Sequence, residues 1–89
     1  MYEVVLTKRA HNEFNKLSST DQDRVENTLD RLSANPRPAG ARKIHGNIYR
    51  VRIGDWRVVY AVFDKDRLVL VGRIARRSED TYDRLEEVF

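Results

Sequence analysis

The stretch Tyr49-Arg50-Val51-Arg52-Ile53-Gly54-Asp55-Trp56-Arg57-Val58-Val59-Tyr60 alternates in character on both sides of a Gly-Asp pair. Successive side chains of a strand point to opposite faces. Tyr49, Val51 and Ile53 therefore share one face, and Arg50 and Arg52 share the other. Gly54-Asp55 has the composition of a tight hairpin connection. Beyond it, Trp56, Val58, Tyr60 and Val62 fall on one face, and Arg57, Val59, Ala61 and Phe63 on the other. One face of this hairpin is apolar and its opposite carries guanidinium groups. Such a pattern describes an antiparallel sheet with one face packed against other elements.

Working outward, the period of two predicts strands over 47–53, 56–64 and 67–76, with Asp64-Lys65-Asp66 as a polar turn. In the third strand an unbroken alternation groups Leu68, Leu70, Gly72 and Ile74. It groups Val69, Val71, Arg73 and Ala75 on the other face and, extended, Arg77 with them. The expected buried face is then Tyr49, Val51, Ile53, Val58, Tyr60, Leu68, Leu70 and Ile74. The expected open face gathers Arg50, Arg52, Arg57, Arg73 and Arg77, beside an apolar end of Val59, Ala61, Phe63, Val69 and Val71.

Upstream, 2–6 alternates as a first strand. Thr7 is placed to cap a helix over 8–17 with the stripe Ala10, Phe14 and Leu17. Thr20, followed by Asp21 and Asp23, opens a second helix with Val25, Leu29 and Leu32 on one stripe. Asn35-Pro36-Arg37-Pro38-Ala39-Gly40 is a loop, since proline biases its predecessor away from helix. Ser78, Glu79 and Asp80 open a last helix ending near Phe89. The expected order is β-α-α-β-β-β-α. It is an α+β domain spanning 1–89, with a helix pair on one face of a small, mostly antiparallel sheet and a C-terminal helix.

Charge is unevenly placed along the 89 residues. Between Arg37 and Arg77 there are 11 Lys/Arg against 3 Asp/Glu, and the remainder holds 6 against 11. A basic centre with acidic ends fits a polyanion binder, and equally a solvated sheet surface with a mixed exterior. The guanidinium fork bonds two phosphate oxygens at once, which makes a phosphodiester chain a fitting counter-anion. No cysteine is present, so disulfides and thiolate metal sites are excluded. Two separated histidines do not make a metal centre, and no Gly-rich phosphate loop occurs. His11 belongs to the polar side of the first helix. His45 is either an ordinary turn residue or a proton acceptor, a role open to imidazole in general. No secretory leader, membrane span or cofactor is expected, and the setting expected is cytoplasmic.

The 49–60 block resembles the central motif of the RelE/ParE toxins, "YRxRxGdyRvvY". Ile74-Ala75-Arg76-Arg77 followed by Tyr82 is similar to that family's C-terminal signature. Leu32-Ser33-Ala34-Asn35-Pro36 and Lys43-Ile44-His45-Gly46 sit where the family carries its "L..NP" and "kL.G" segments. The resemblance covers essentially the whole chain and implies a RelE-like fold of the microbial-RNase type. It implies the toxin of a type II toxin–antitoxin system, paired with a cognate antitoxin in a hetero-oligomer. For the RNA-cutting branch it implies a ribosome-dependent endoribonuclease acting on mRNA in the A site without a metal. Carried over by position, the catalytic residues are Arg50, Arg52, Arg57, Arg77 and Tyr82. RNA contact is expected from Lys43, Arg50, Arg52, Arg73, Arg76 and Arg77. Antitoxin contact is expected from Val59, Ala61, Phe63, Val69, Val71, Arg73 and Arg77. Where some relatives have lysines this chain has Arg50 and Arg52, and arginine is a poor general base. The alternatives are a ParE-like gyrase inhibitor, or a remnant that binds an antitoxin without activity.

Overall fold

The computed structural model describes residues 1–76. Its elements are β1 (Glu3–Leu6), α1 (Lys8–Asn15), α2 (Ser19–Ala34), β2 (Arg42–His45), β3 (Ile48–Ile53), β4 (Trp56–Phe63) and β5 (Leu68–Arg76). The five strands form one sheet in the order β1-β5-β4-β3-β2. β1 runs parallel to β5, and the other neighbours are antiparallel. The α+β class is as expected. The helix expected over 79–89, together with Arg77 and Tyr82, lies outside the described residues.

Both helices start on a hydroxyl. Thr7 Oγ1 accepts from the Ala10 amide at 3.2 Å, as expected. The second cap is Ser18, not Thr20. Ser18 is extended and its Oγ accepts from the Asp21 amide at 3.2 Å, so the helix begins at Ser19. The helices bury Ala10, Val25 and Leu32, and the turn between them Leu17, against Val51, Val58, Tyr60, Val62 and Ile74 of the sheet; α1 ends at Asn15, short of the expected Leu17. Trp56 packs on this core, and its Nε1 donates to Asp21 at 3.0 Å. Tyr60 is fully buried and its hydroxyl donates to the Pro36 carbonyl at 2.8 Å. Burial, then the neighbouring Tyr49, pushes the Tyr60 hydroxyl up to about 12.

Two features of the sheet also depart from the sequence expectation. The first is β2, a four-residue strand between the 36–41 loop and β3. It is joined to β3 through Gly46-Asn47, with His45 opposite Ile48. The second is a bulge. Along β4 and β5, Val59 stands opposite Arg73, but the next residue, Tyr60, stands opposite Val71. Gly72 is the extra residue, and an extra residue reverses the facing of everything before it in that strand. Val69 and Val71 therefore join Val62 and Tyr60 in the core, each with 0% exposure. Leu68 and Leu70 turn to the arginine side. The expected facing of these four residues is thus inverted, and Val69 and Val71 leave the expected antitoxin surface.

The far end of the sheet is tied by polar groups. Arg37 donates to Tyr49 Oη at 2.9 Å and forms a two-bond contact with Asp64, the shorter bond 2.8 Å. The Tyr2 hydroxyl donates to the same carboxylate at 2.6 Å. Arg37 and Tyr2 hold the Asp64 carboxyl below its usual range.

Candidate nucleic-acid interface

Residues directly opposite on neighbouring strands project from the same face, with Cβ atoms roughly 4.5–5.5 Å apart. The register therefore lays out the face away from the helices row by row. Nearest the β3–β4 turn, Arg52 of β3 stands opposite Arg57 of β4, which stands opposite Ala75 of β5. The next row runs Arg42, Arg50, Val59, Arg73 across β2 to β5. Then comes an apolar row of Ile48, Ala61, Leu70 and Val5, reaching β1. Phe63 and Leu68 follow, with Glu3 at the edge. The face is banded, with arginine at the hairpin end and aliphatic and aromatic side chains at the other.

Three expected site residues, Arg50, Arg52 and Arg57, come together on this face. Arg52 is exposed, and Arg50 and Arg57 are half-buried. The Nε of Arg57 is withdrawn from water. Like charges directly opposite each other on a sheet are destabilising, and a partly desolvated guanidinium exerts a stronger field than a hydrated one. The hairpin register sets Arg52 and Arg57 side by side on this face.

Arg73 occupies the same face but is 8% exposed. Its Nε donates to Glu13 Oε2 at 2.8 Å, and the other oxygen of that carboxylate accepts from the Ile74 amide at 2.9 Å. Its role in the expected RNA and antitoxin contacts thus begins from a guanidinium already engaged by a carboxylate. Two other expected RNA contacts lie elsewhere. Lys43 stands opposite Tyr49, so it projects to the helix side at the sheet edge. Arg76 stands opposite Trp56, and its guanidinium lies 4.8 Å from the Trp56 ring centroid, also on the helix side. Of the expected antitoxin contacts, Phe63 is open, whereas Val59 and Ala61 are on the face but buried. Arg77 and Tyr82 lie outside the described residues.

Arg42 is the basic residue that sequence reading missed. Its strand is too short to show an alternation. The signal was the Gly46-Asn47 pair, a two-residue hairpin connection that implies a strand before β3 as well as β3 itself. His45 is exposed and opens onto the apolar row beside Ile48.

Residues 4–81 match the family described as the ParE toxin of the type II toxin–antitoxin system parDE. The chain is 30% identical over 82 residues to the RelE1 protein of Methanocaldococcus jannaschii, which its name describes as a toxin. That match covers 86% of this chain and 91% of the relative. The fold is similar to the archaeal RelE-RelB complex from Pyrococcus horikoshii, with a TM-score of 0.77 and 26% identity. The similarity spans 89% of this chain and 98% of that one. The isolated E. coli RelE toxin shares the fold at a TM-score of 0.78 and 22% identity, over 100% of both chains.

Proposed function

Because the chain belongs to the ParE toxin family of type II toxin–antitoxin systems, we propose that it is a toxin of the RNA-cutting kind, a ribosome-dependent endoribonuclease that cleaves mRNA in the A site in the cytoplasm. The observation that carries this reading is the Arg52–Arg57 cross-strand pair, flanked by Arg50, on the face of the sheet away from the helices. The 2′-hydroxyl of RNA is its own nucleophile toward the adjacent phosphate. A protein that cuts there must align the chain and stabilise the charge that builds on the phosphorane. Arg57, with its Nε already out of water, is the group for that charge, and Arg50 and Arg52 align the backbone beside it. Arg77 and Tyr82 complete the proposed set, one as a second cation and the other as a stacking or positioning group. Arginine does not accept the proton at ordinary pH, so these side chains act by charge and position.

The proposed partner is an antitoxin, the second component of the type II system that the family description names. Its segment lies along the apolar row of Ile48, Ala61, Leu70 and Val5 with Phe63 beside it, and presents acidic groups to the arginine rows. The test of function is cell-free translation with primer extension on the message. Cuts at A-site codons by the wild type and not by Arg57→Ala support the reading.

A second reading is favoured by the family description itself, which is that of ParE. In a gyrase inhibitor the arginine face is a recognition surface. The message then stays intact, and a supercoiling assay shows inhibition.

A further inference from the structure

β2 covers the edge of β3 only as far as Arg50, which stands opposite Arg42. Beyond that point the β3 edge faces α2 and the 36–40 loop. The space left between them is a cavity of about 200 Å³. Thr28 and Arg31 line it from α2, Pro38 and Ala39 from the loop, and Val51 and Arg52 from β3. Pockets that enclose a whole cofactor run to roughly 300–1,000 Å³, so this one suits a single ring or sugar with a charged group at its mouth. Its walls are aliphatic at Val51, Pro38 and Ala39. Thr28, 8% exposed, brings the one hydroxyl among its lining side chains. Arg31 and Arg52 are both exposed and come from different elements. None of the four acids of α2 lines it, and two of them, Glu26 and Asp30, line a separate groove against Val4 and Leu6. The charge at this cavity is therefore cationic although α2 is an acidic helix.

Arg52 belongs to two places at once, since it stands opposite Arg57 and also walls this cavity. A polynucleotide lying on the arginine rows is thereby led to the cavity mouth. We propose that the cavity is a nucleotide subsite, taking the base of the nucleotide that flanks the one held at Arg52 and Arg57, with its phosphate between Arg31 and Arg52. Thr28 then meets the edge of that base and ranks one base above another. The inference rests on the nucleic-acid reading of the arginine face.

The experiment is an NMR titration of the full chain with 2′-O-methylated trinucleotides that differ in one flanking base. The methyl groups of Thr28, Ala39 and Val51 report the cavity, and the Nε–H of Arg57 reports the face. The expected result is that both sets shift with one affinity. Arg31→Ala weakens that affinity about tenfold, the loss of one hydrogen bond to a charged group. Thr28→Val, which keeps the shape, changes the ranking of the bases. Shifts at Arg57 without shifts at the three methyl groups overturn the subsite and leave the nucleic-acid reading standing. Inorganic phosphate alone moving the methyl groups with the trinucleotide's affinity also overturns it, since the base then contributes nothing. No shift at either set overturns the subsite, while the reading of the arginine face is decided by the cell-free translation assay.

Discussion

Glu13 of α1 holds Arg73 of β5 through a 2.8 Å bond to its Nε while accepting from the neighbouring Ile74 amide at 2.9 Å. β1 pairs with β5 only from Leu68 to Val71, so the Glu13 carboxylate does for the end of β5 what a neighbouring strand does for its beginning. Side-chain exposures of 10% and 21% put the pair in a partly desolvated site. Glu13→Ala is expected to lower stability by about 1.5–3 kcal/mol, the range for hydrogen bonds to charged groups. Glu13→Gln, which keeps an acceptor for the amide, loses less. Urea midpoints at pH 7 give the comparison, and equal midpoints for wild type and Glu13→Ala would show that the carboxylate is dispensable.

Arg57→Ala is expected to reduce message cutting by about 10²–10³-fold, as for removal of one donor to a developing oxyanion. Lysine is not expected to restore it, because a point charge lacks the planar fork that matches two phosphate oxygens. Single-turnover cutting on programmed ribosomes measures both. A lysine variant cutting at the wild-type rate would remove the geometric part of the argument.

The Tyr60 hydroxyl, pushed up to about 12 by burial, makes stability depend on alkaline pH. The raised folded value means that the folded state keeps its proton where the unfolded chain, near pH 10, begins to lose it. The contribution is complete below about pH 10 and disappears as pH rises toward 12. Urea midpoints of wild type should fall over that window more steeply than those of Tyr60→Phe. Parallel curves for the two proteins would exclude Tyr60 as the cause.

At acid pH the corresponding group is Asp64. Hydrogen bonds from Arg37 and Tyr2 hold its carboxyl below the usual carboxylate range, so its contribution is present above the ordinary carboxylate range and is lost as pH falls through its lowered midpoint. A carboxyl-carbon NMR titration should show Asp64 ionising below the other exposed aspartates, and returning toward them in Arg37→Ala. An Asp64 midpoint unmoved by that substitution would contradict the assignment.

The element order was legible wherever the hydrophobic period was long. Ala10, Val25 and Leu32 on the helices, Leu17 just past the end of α1, and Val51, Val58 and Tyr60 on the hairpin, are core as their spacing implied. So was the convergence of Arg50, Arg52 and Arg57, because hairpin register follows from Gly54-Asp55 and parity alone. What parity does not carry is a bulge. Gly72, an isolated glycine in a strand pattern, was the visible warning that alternation breaks there. Without it, Val69 and Val71 were placed on the wrong side of β5. Arg73 was visible as a cation but its engagement was not, since Glu13 lies 60 residues away in sequence. Lys43 and Arg76 were grouped with the arginines by charge, whereas facing is decided by the partners Tyr49 and Trp56.

The parallel pairing of β1 with β5, Glu3 beside Leu68, joins the first strand to the last one described. Both helices and the β2–β4 meander leave the ribosome before the partner of β1 has been made. The β1 strand must wait as an unsatisfied edge, and closing so long a loop is entropically slow compared with the local hairpins. During synthesis the chain therefore carries its arginine hairpin ahead of a finished sheet. β1, α1 and the Glu13–Arg73 contact can therefore join the sheet only once β5 has been made.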